Sequence, residues 1–112
     1  MKKLIDYEEK AVEFLKIKGY KIVCRNFRTR FGEIDIIAKD KKYIVFIEVK
    51  ARSCNYLVSP KEALDLRKQN KIKRAALQFT KSKPNQYFRF DFVGIIDYGG
   101  YKTYELTKGA FE

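Results

Sequence analysis

The chain of 112 residues is expected to form one domain, spanning residues 1–112, because its length suffices for a single core and not for two. A hydrophobic fraction of 46% and an aromatic fraction of 15% exclude a disordered chain, and the lack of histidine excludes Ser-His and Cys-His triads and histidine-containing zinc fingers. The 25 Lys and Arg residues against 14 Asp and Glu residues give a net charge of +11, which favours nucleic acid as a partner over a charge that only keeps the protein in solution.

The first predicted element is a helix from about residue 3 to residue 18. It ends at Gly19, because glycine adopts the left-handed conformation that is common after a helix. Glu8 falls on the apolar stripe of this helix by the helical period. Two alternatives stay open for Glu8: a rim residue that reaches solvent, or an interior acid that points toward the same place as Asp35 and Glu48.

Three strands are predicted after this helix. The first runs from residue 20 to residue 29, and the second and third contain Asp35 and Glu48. The polar turn at residues 39–42 joins the second and third strands into an antiparallel hairpin, which brings Asp35 near Glu48. The first strand is basic toward its end, where three arginines occur: Arg25, Arg28 and Arg30.

The hairpin carries charged residues where an apolar core strand should carry none. By alternation, Glu48 and Lys50 share one face of their strand with Ile44 and Phe46, and Asp35 interrupts an isoleucine run. Charges in a core strand are costly unless they are paired or bound to a metal ion. The alternative is an ion network without a metal, but two acids and one base leave a negative surplus that burial penalises and a cation removes. The pattern therefore predicts a site at Asp35, Glu48 and Lys50.

A second helix is predicted from about residue 60 to residue 81, with Ser59 as its N-cap and Pro60 at its first position. Gln69 borders the core stripe of this helix and could face the site. Another face carries a basic ridge, which is either a solvated surface or a set of phosphate contacts. The ridge consists of Arg67, Lys71 and Arg74.

Two further strands, at residues 87–96 and 101–106, are joined by a turn at Gly99-Gly100. The element order is helix, three strands, helix, two strands. This order predicts an α/β fold of three layers, in which helices cover both faces of a mixed central sheet. Asp91, on the fourth strand, is expected to make a structural ion pair or hydrogen bond rather than to take part in catalysis.

A cytoplasmic location without membrane insertion is expected. Acidic residues follow the first basic residues at once, which is unlike a secretory signal, and no apolar run approaches the roughly 20 residues that cross a bilayer. Cys24 and Cys54 do not form a CxxC motif and are expected to be reduced thiols.

Asp35, followed by Glu48-Val49-Lys50, resembles the D…(E)xK signature of the PD-(D/E)XK nuclease superfamily. Further segments occur in the order seen in the YraN-like family, which is similar to archaeal Holliday-junction resolvases in its catalytic core. These segments are residues 33–38, 46–52, 60–63 with Lys68-Gln69, and 89–93. The chain departs from the family at Tyr7, where glycine is usual before the helix glutamate, and Ile34 stands in place of the proline before the aspartate.

The resemblance implies a restriction-endonuclease-like core and a Mg²⁺-dependent DNA endonuclease, with Mn²⁺ as a substitute, that acts on branched or structured DNA. Asp35 and Glu48 would hold the metal ion with help from Glu8, Lys50 would stabilise the phosphate, and Gln69 would fix a water or a phosphate oxygen. The expected contacts to the DNA backbone are Arg25, Arg28, Arg30, Arg52, Arg67, Lys71 and Arg74.

Two further expectations accompany this function. Incision of two strands at a junction favours a homodimer, because two-fold symmetry would present two sites to the DNA. The alternative of a different class is a non-catalytic nucleic-acid-binding or scaffold protein that has kept the nuclease fold.

Overall fold

Two helices and five strands follow one another in the predicted order over residues 5–54 and 64–112, which are the residues that this computed structural model describes. Within these ranges no helix is long and apolar enough to cross a lipid bilayer. The elements are α1 (Tyr7–Ile17), β1 (Lys21–Thr29), β2 (Gly32–Asp40), β3 (Tyr43–Ser53), α2 (Leu66–Thr80), β4 (Tyr87–Asp97) and β5 (Lys102–Phe111).

Helix α1 begins at Tyr7, later than the predicted start at residue 3, so that part of the prediction is wrong. The physical reason is the N-cap: the Asp6 carboxylate accepts a hydrogen bond from the backbone N–H of Glu9 at 3.0 Å. In the sequence the apolar periodicity extends back through Leu4 and Ile5, so it does not show that the helix begins only after the N-cap Asp6. Gly19 has φ +93°, as predicted for the left-handed residue after α1.

Helix α2 begins at Leu66, and the predicted continuous helix from Pro60 is wrong at Leu64 and Asp65, which are not helical. Asp65 is the N-cap, and its side chain accepts a hydrogen bond from the N–H of Lys68 at 2.9 Å. The predicted N-cap Ser59 and first position Pro60 lie outside the described residues. The N-cap of α2 is therefore Asp65, which directly precedes the basic first turn of the helix.

The strands form one mixed sheet with the order β1-β2-β3-β4-β5. Strands β3 and β4 are parallel, in register from Tyr43–Tyr87 to Ser53–Asp97. The other neighbouring pairs are antiparallel, which confirms the predicted hairpin between β2 and β3. Helix α2 lies on the connection between these two strands. Because β3 and β4 are parallel, their carboxyl ends lie at the same edge of the sheet.

The two helices cover opposite faces of the sheet, as predicted. Ala11 and Leu15 of α1 pack in one core with Val45 and Ile47 of β3. A second core contains Ile44 and Phe46 from the other face of β3. Its residues from α2 are Ile72, Ala75 and Ala76. The arrangement is an α/β fold of three layers in which both faces of β3 are buried.

A buried polar network joins β2, β4 and β5, together with Tyr20 just before β1, at the end of the sheet where β3 and β4 begin. Asp91 is completely buried and accepts hydrogen bonds from the Tyr20 hydroxyl at 2.7 Å, from Arg89 Nε at 2.8 Å and from the Gly109 N–H at 3.0 Å. Arg89 also donates to Asp40 at 2.7 Å. The hydrogen bond to Asp91 is the main cause that holds the pKa of Arg89 above its ordinary value. Asp91 thus makes the structural contacts predicted for it.

Candidate active site

Strands β2 and β3 part at Asp35. Their ladder of backbone pairs ends at Ile36–Ile47, and the Asp35 carboxylate accepts a hydrogen bond from the N–H of Val49 at 2.8 Å. Ile34 lies in the core under α2, whereas Ile36 lies in the core under α1, so the alternation of side chains is interrupted between them. The irregularity aims the Asp35 side chain at β3, into the gap that the missing pairs leave open.

Strand β1 carries a matching irregularity beside Asp35. Asn26 has φ +54° and lies between Arg25, which pairs with Ile36, and Phe27, which pairs with Ile34. Asparagine is among the residues that tolerate this left-handed conformation. The distortion of β2 is therefore shared by its outer neighbour.

Glu48 lies next to Asp35 and is 4% exposed on the face of β3 that α2 covers. Its burial, followed by a hydrogen bond with the Asp35 side chain and then by the charge of Asp35, raises the pKa of Glu48 to about 8. The Oε2 atom of Glu48 is buried and has no hydrogen-bond partner, while Lys68 Nζ stands 3.4 Å from it. This carboxylate is therefore short of the positive charge that its ionised form requires.

Glu8 approaches the same acids from α1, and its side chain is partly buried, with 29% of it exposed. Burial, followed by the charge of Asp35, raises the pKa of Glu8, and its Oε1 atom is buried without a hydrogen bond. Arg25 Nη2 is 3.9 Å from that oxygen. Within residues 5–54 and 64–112, however, no group of three or more His, Cys, Asp or Glu side chains is arranged to hold a metal ion. The pair that the fold places side by side is Asp35 and Glu48.

Lys50 borders two open clefts, one on each side of the sheet edge. The cleft on the α2 side has a volume of about 370 Å³ and is dominated by cations. Its lining consists of Lys50, Asp65, Arg67, Lys68 and Lys71. The cleft on the α1 side, of about 420 Å³, includes Asp6, Glu8, Lys50 and Arg52 in its lining. A basic and a more acidic surface thus meet at Lys50.

The predicted ridge on α2 is exposed at all three of its residues, Arg67, Lys71 and Arg74. The β1–β2 turn lies against it, since a Cβ atom on Gly32 would stand 3.2 Å from the Cβ of Lys71. Arg28 and Arg30, at this turn, are also exposed. Arg67 and Lys71 of the ridge also line the cleft on the α2 side, whereas Arg28 Nε lies 3.6 Å from Glu33 Oε1.

Two other arginines predicted to contact DNA have protein partners. Arg25 Nη1 lies 2.6 Å from Glu9 Oε2, and its Nη2 lies 3.3 Å from Asp6 Oδ2, so Arg25 ties the start of α1 to β1. Arg52 donates to the carbonyl oxygen of Ala51 at 3.2 Å and borders the cleft on the α1 side.

Gln69 and Lys68 of α2 each have a partner within the protein. Gln69 Nε2 donates to the carbonyl oxygen of Leu64 at 3.1 Å, and it thereby fixes the segment that leads into α2. Lys68, which the sequence did not assign to the site, forms an ion pair with Glu48, with its Nζ atom 3.4 Å from Glu48 Oε2. A lysine in the first turn of a helix is typical of a solvated surface. The sequence indicated a role for Lys68 only through its place beside Gln69 in the family pattern.

The raised pKa of Glu48 predicts that stability in the absence of divalent ions falls as the pH rises. A carboxyl group whose pKa is about 8 in the folded protein and 4.5 in the unfolded chain binds more protons when folded, so stability is lost across this window. We expect the Tm to fall by several degrees between about pH 5 and pH 8. Thermal unfolding of Glu48→Gln should show a much flatter profile, and Glu13→Gln, an exposed control, should follow the wild type. A flat wild-type profile would contradict the prediction.

The comparisons with known proteins cover the whole candidate site. The chain matches the family described as Uncharacterised protein family UPF0102 over residues 7–95. It is 47% identical over 105 residues to a UPF0102 protein of Desulfosudis oleivorans, with coverage of 94% of this chain and 85% of the relative. It is 49% identical over 107 residues to a UPF0102 protein of Clostridium botulinum strain Hall, with coverage of 91% and 87%. The chain therefore belongs to the uncharacterised protein family UPF0102, the YraN-like family that its motifs indicate.

Proposed function

We propose that this protein is a metal-dependent DNA endonuclease of the PD-(D/E)XK superfamily, with a restriction-endonuclease-like core. The observation that carries the proposal is the adjacency of Asp35 and Glu48 where β2 and β3 part, with Lys50 and Lys68 beside them. Two adjacent acids at this end of the sheet lower the stability of the fold. A role in metal-dependent phosphodiester hydrolysis would account for their presence. The choice of branched or structured DNA as substrate rests on the resemblance of the motifs to junction resolvases.

The donor set fits Mg²⁺. This ion takes oxygen ligands, and proteins bind it through one or two carboxylates together with waters and substrate phosphates rather than in closed protein cages. Asp35 and Glu48 supply two carboxylates, and Glu48 Oε2 and Glu8 Oε1 are buried acceptors without hydrogen bonds. Asp35 and Glu48 would therefore hold the ion, and Glu8 would add negative charge from α1. Mn²⁺ suits the same oxygen ligands.

Each basic side chain at the site has a distinct task in hydrolysis. When bound, Mg²⁺ would activate a water and neutralise charge on the phosphate. Lys50, on the face of β3 that carries Glu48, would donate to a phosphate oxygen in the basic cleft and stabilise the charge that grows in the transition state. Lys68 would balance the charge of Glu48 from α2.

The ridge of Arg67, Lys71 and Arg74 would contact the DNA backbone beside this site, and Arg28 and Arg30 would add contacts from the β1 end and the β1–β2 turn. Contacts between such residues and phosphates release counterions, so the affinity should fall steeply as salt is added. Arg25 and Arg52, with their protein partners, would support the site from the α1 side.

A non-catalytic nucleic-acid-binding or scaffold protein is the second candidate. It is favoured by the partners that the acids already have: Asp35 accepts from the Val49 N–H, and Glu48 faces Lys68. This function predicts salt-sensitive DNA binding without any metal-dependent product.

The two functions are separated by a cleavage assay on end-labelled four-way-junction, flap, linear duplex and single-stranded DNA, with Mg²⁺, Mn²⁺ or EDTA. We expect products with either ion and none with EDTA, and more product from branched DNA than from linear duplex. Shifted bands without products in either ion would overturn the nuclease and leave the binding protein. Sedimentation of the DNA complex tests the homodimer, since a monomer mass at all concentrations would exclude it.

A further inference from the structure

An aromatic pair stands on the surface at the β4–β5 turn. Tyr98 and Tyr101 are 41% and 63% exposed, and their rings are stacked with centroids 4.9 Å apart and planes 11° apart. The N–H of Tyr98 donates to the carbonyl oxygen of Tyr101 at 2.9 Å, which extends the ladder one step beyond the pair Asp97–Lys102. Neither ring contributes to the buried cores, so packing does not explain the pair.

The turn that presents the two rings is held in one conformation. Gly99 has φ +95°, which glycine adopts at no steric cost, and its N–H donates to Asp97 Oδ1 at 2.8 Å. The Tyr7 hydroxyl donates to Asp97 Oδ2 at 2.8 Å, so the start of α1 also anchors the turn. The backbone that carries the two tyrosines is thus fixed by hydrogen bonds, and a preformed turn lowers the entropy cost of stacking on them.

The pair lies at the sheet edge that carries the candidate active site. Gly94 pairs with Lys50, and Tyr98 follows four residues later, one residue beyond the end of β4, so it lies about 13 Å further along the strand direction. The side chain of Asp97 faces Tyr7 of α1. Because side chains alternate along the ladder, Tyr98 and Tyr101 continue the other face, which carries Glu48 and Lys50.

We propose that Tyr98 and Tyr101 form a stacking platform for an unpaired nucleobase of the DNA substrate; this rests on the proposed function and narrows its substrate class. Aromatic rings beside a positively charged groove bind single strands, because every base has a face that stacks. Bases inside a duplex already stack on each other and are not offered to a surface ring. The platform therefore selects DNA with an unpaired strand within a few nucleotides of the phosphate that Lys50 contacts.

The absence of tryptophan from the chain gives this proposal a direct optical test. Tyr101→Trp introduces a single tryptophan on the platform. Tyr87→Trp is the matched control, because Tyr87 is 58% exposed and begins β4 at the opposite end of the same strand. Both variants are titrated in EDTA, where no cleavage occurs, with flap DNA and with blunt duplex, while the anisotropy of a labelled oligonucleotide reports binding.

Flap DNA should quench the emission of Tyr101→Trp at saturation, whereas blunt duplex should quench it little and Tyr87→Trp should respond to neither. In parallel, Tyr101→Ala should lose about tenfold in affinity for the flap, and Tyr101→Phe should keep it. Saturated binding without quenching, or equal quenching of both tryptophans, would overturn the platform.

Two other outcomes separate the platform from the nuclease. If the wild type cleaves DNA and the tryptophan is not quenched, the platform fails and the nuclease stands. If Tyr101→Trp emission changes with protein concentration alone, a second copy of the chain covers the rings and the proposal is wrong.

Discussion

Asp35→Asn and Glu48→Gln are each expected to abolish metal-dependent cleavage while DNA binding stays within about twofold of the wild type. Each substitution replaces a carboxylate by a carboxamide of nearly the same shape. It therefore removes one of the two carboxylates that would hold the ion. The stabilisation of the transition state by a metal ion is worth several kcal/mol, so the rate should fall by about 10³-fold or more. Single-turnover cleavage measures the rate, and anisotropy in EDTA measures binding.

Glu33→Gln is the matched control for these two variants. Glu33 lies on the same strand as Asp35, but its side chain is exposed and faces Arg28 at 3.6 Å. Its replacement should leave cleavage unchanged. Loss of DNA binding together with activity in Asp35→Asn would mean that the carboxylate supports the structure and not the reaction.

Arg89→Met is expected to lower the free energy of unfolding by about 3–5 kcal/mol. Arg89 is the cation that compensates both Asp91 and Asp40, and its removal leaves two buried carboxylates without their main partner. Breaking a buried ion pair from one side is strongly destabilising, because the remaining charge stays desolvated. Urea unfolding followed by circular dichroism measures the change.

Lys108→Met tests whether burial, and not charge alone, sets this cost. Lys108 Nζ is 3.2 Å from the same Asp40 oxygen, but its side chain is 54% exposed. Its loss should cost less than about 1 kcal/mol, as is typical of exposed ion pairs. Equal losses in the two variants would show that the network is not organised around Arg89.

The parts of the site that follow from local rules could be predicted from the sequence. Alternation and a polar turn suffice to pair β2 with β3, and this pairing brings Asp35 to Glu48. Helical phase places Glu8 on the inner side of α1, because the direction of a helical side chain depends on neighbours three and four residues away. Both rules use information within a few residues of the position concerned.

The remaining features depend on contacts between distant segments. The break in alternation at Asp35 arises where β1, β2 and β3 meet, with Asn26 opposite it. The period-2 pattern of a single strand does not predict it. The sequence predicts an exposed basic residue at Arg25. Its ion pair with Glu9 depends on the packing of α1 beside β1. Lys68 is likewise a surface residue on its own helix and a counter-ion only when α2 lies over Glu48.

The early end of the β2–β3 ladder has a consequence for how this protein can change over generations. An apolar residue in place of Asp35 would let β2 and β3 pair further and would relieve the repulsion at Glu48. Substitutions that stabilise the sheet at this point therefore remove the pair of acids. A sequence that keeps the gap open has a weaker sheet at this point, and the buried network around Asp91 and Arg89 at the other end of the sheet contributes stability that offsets this loss.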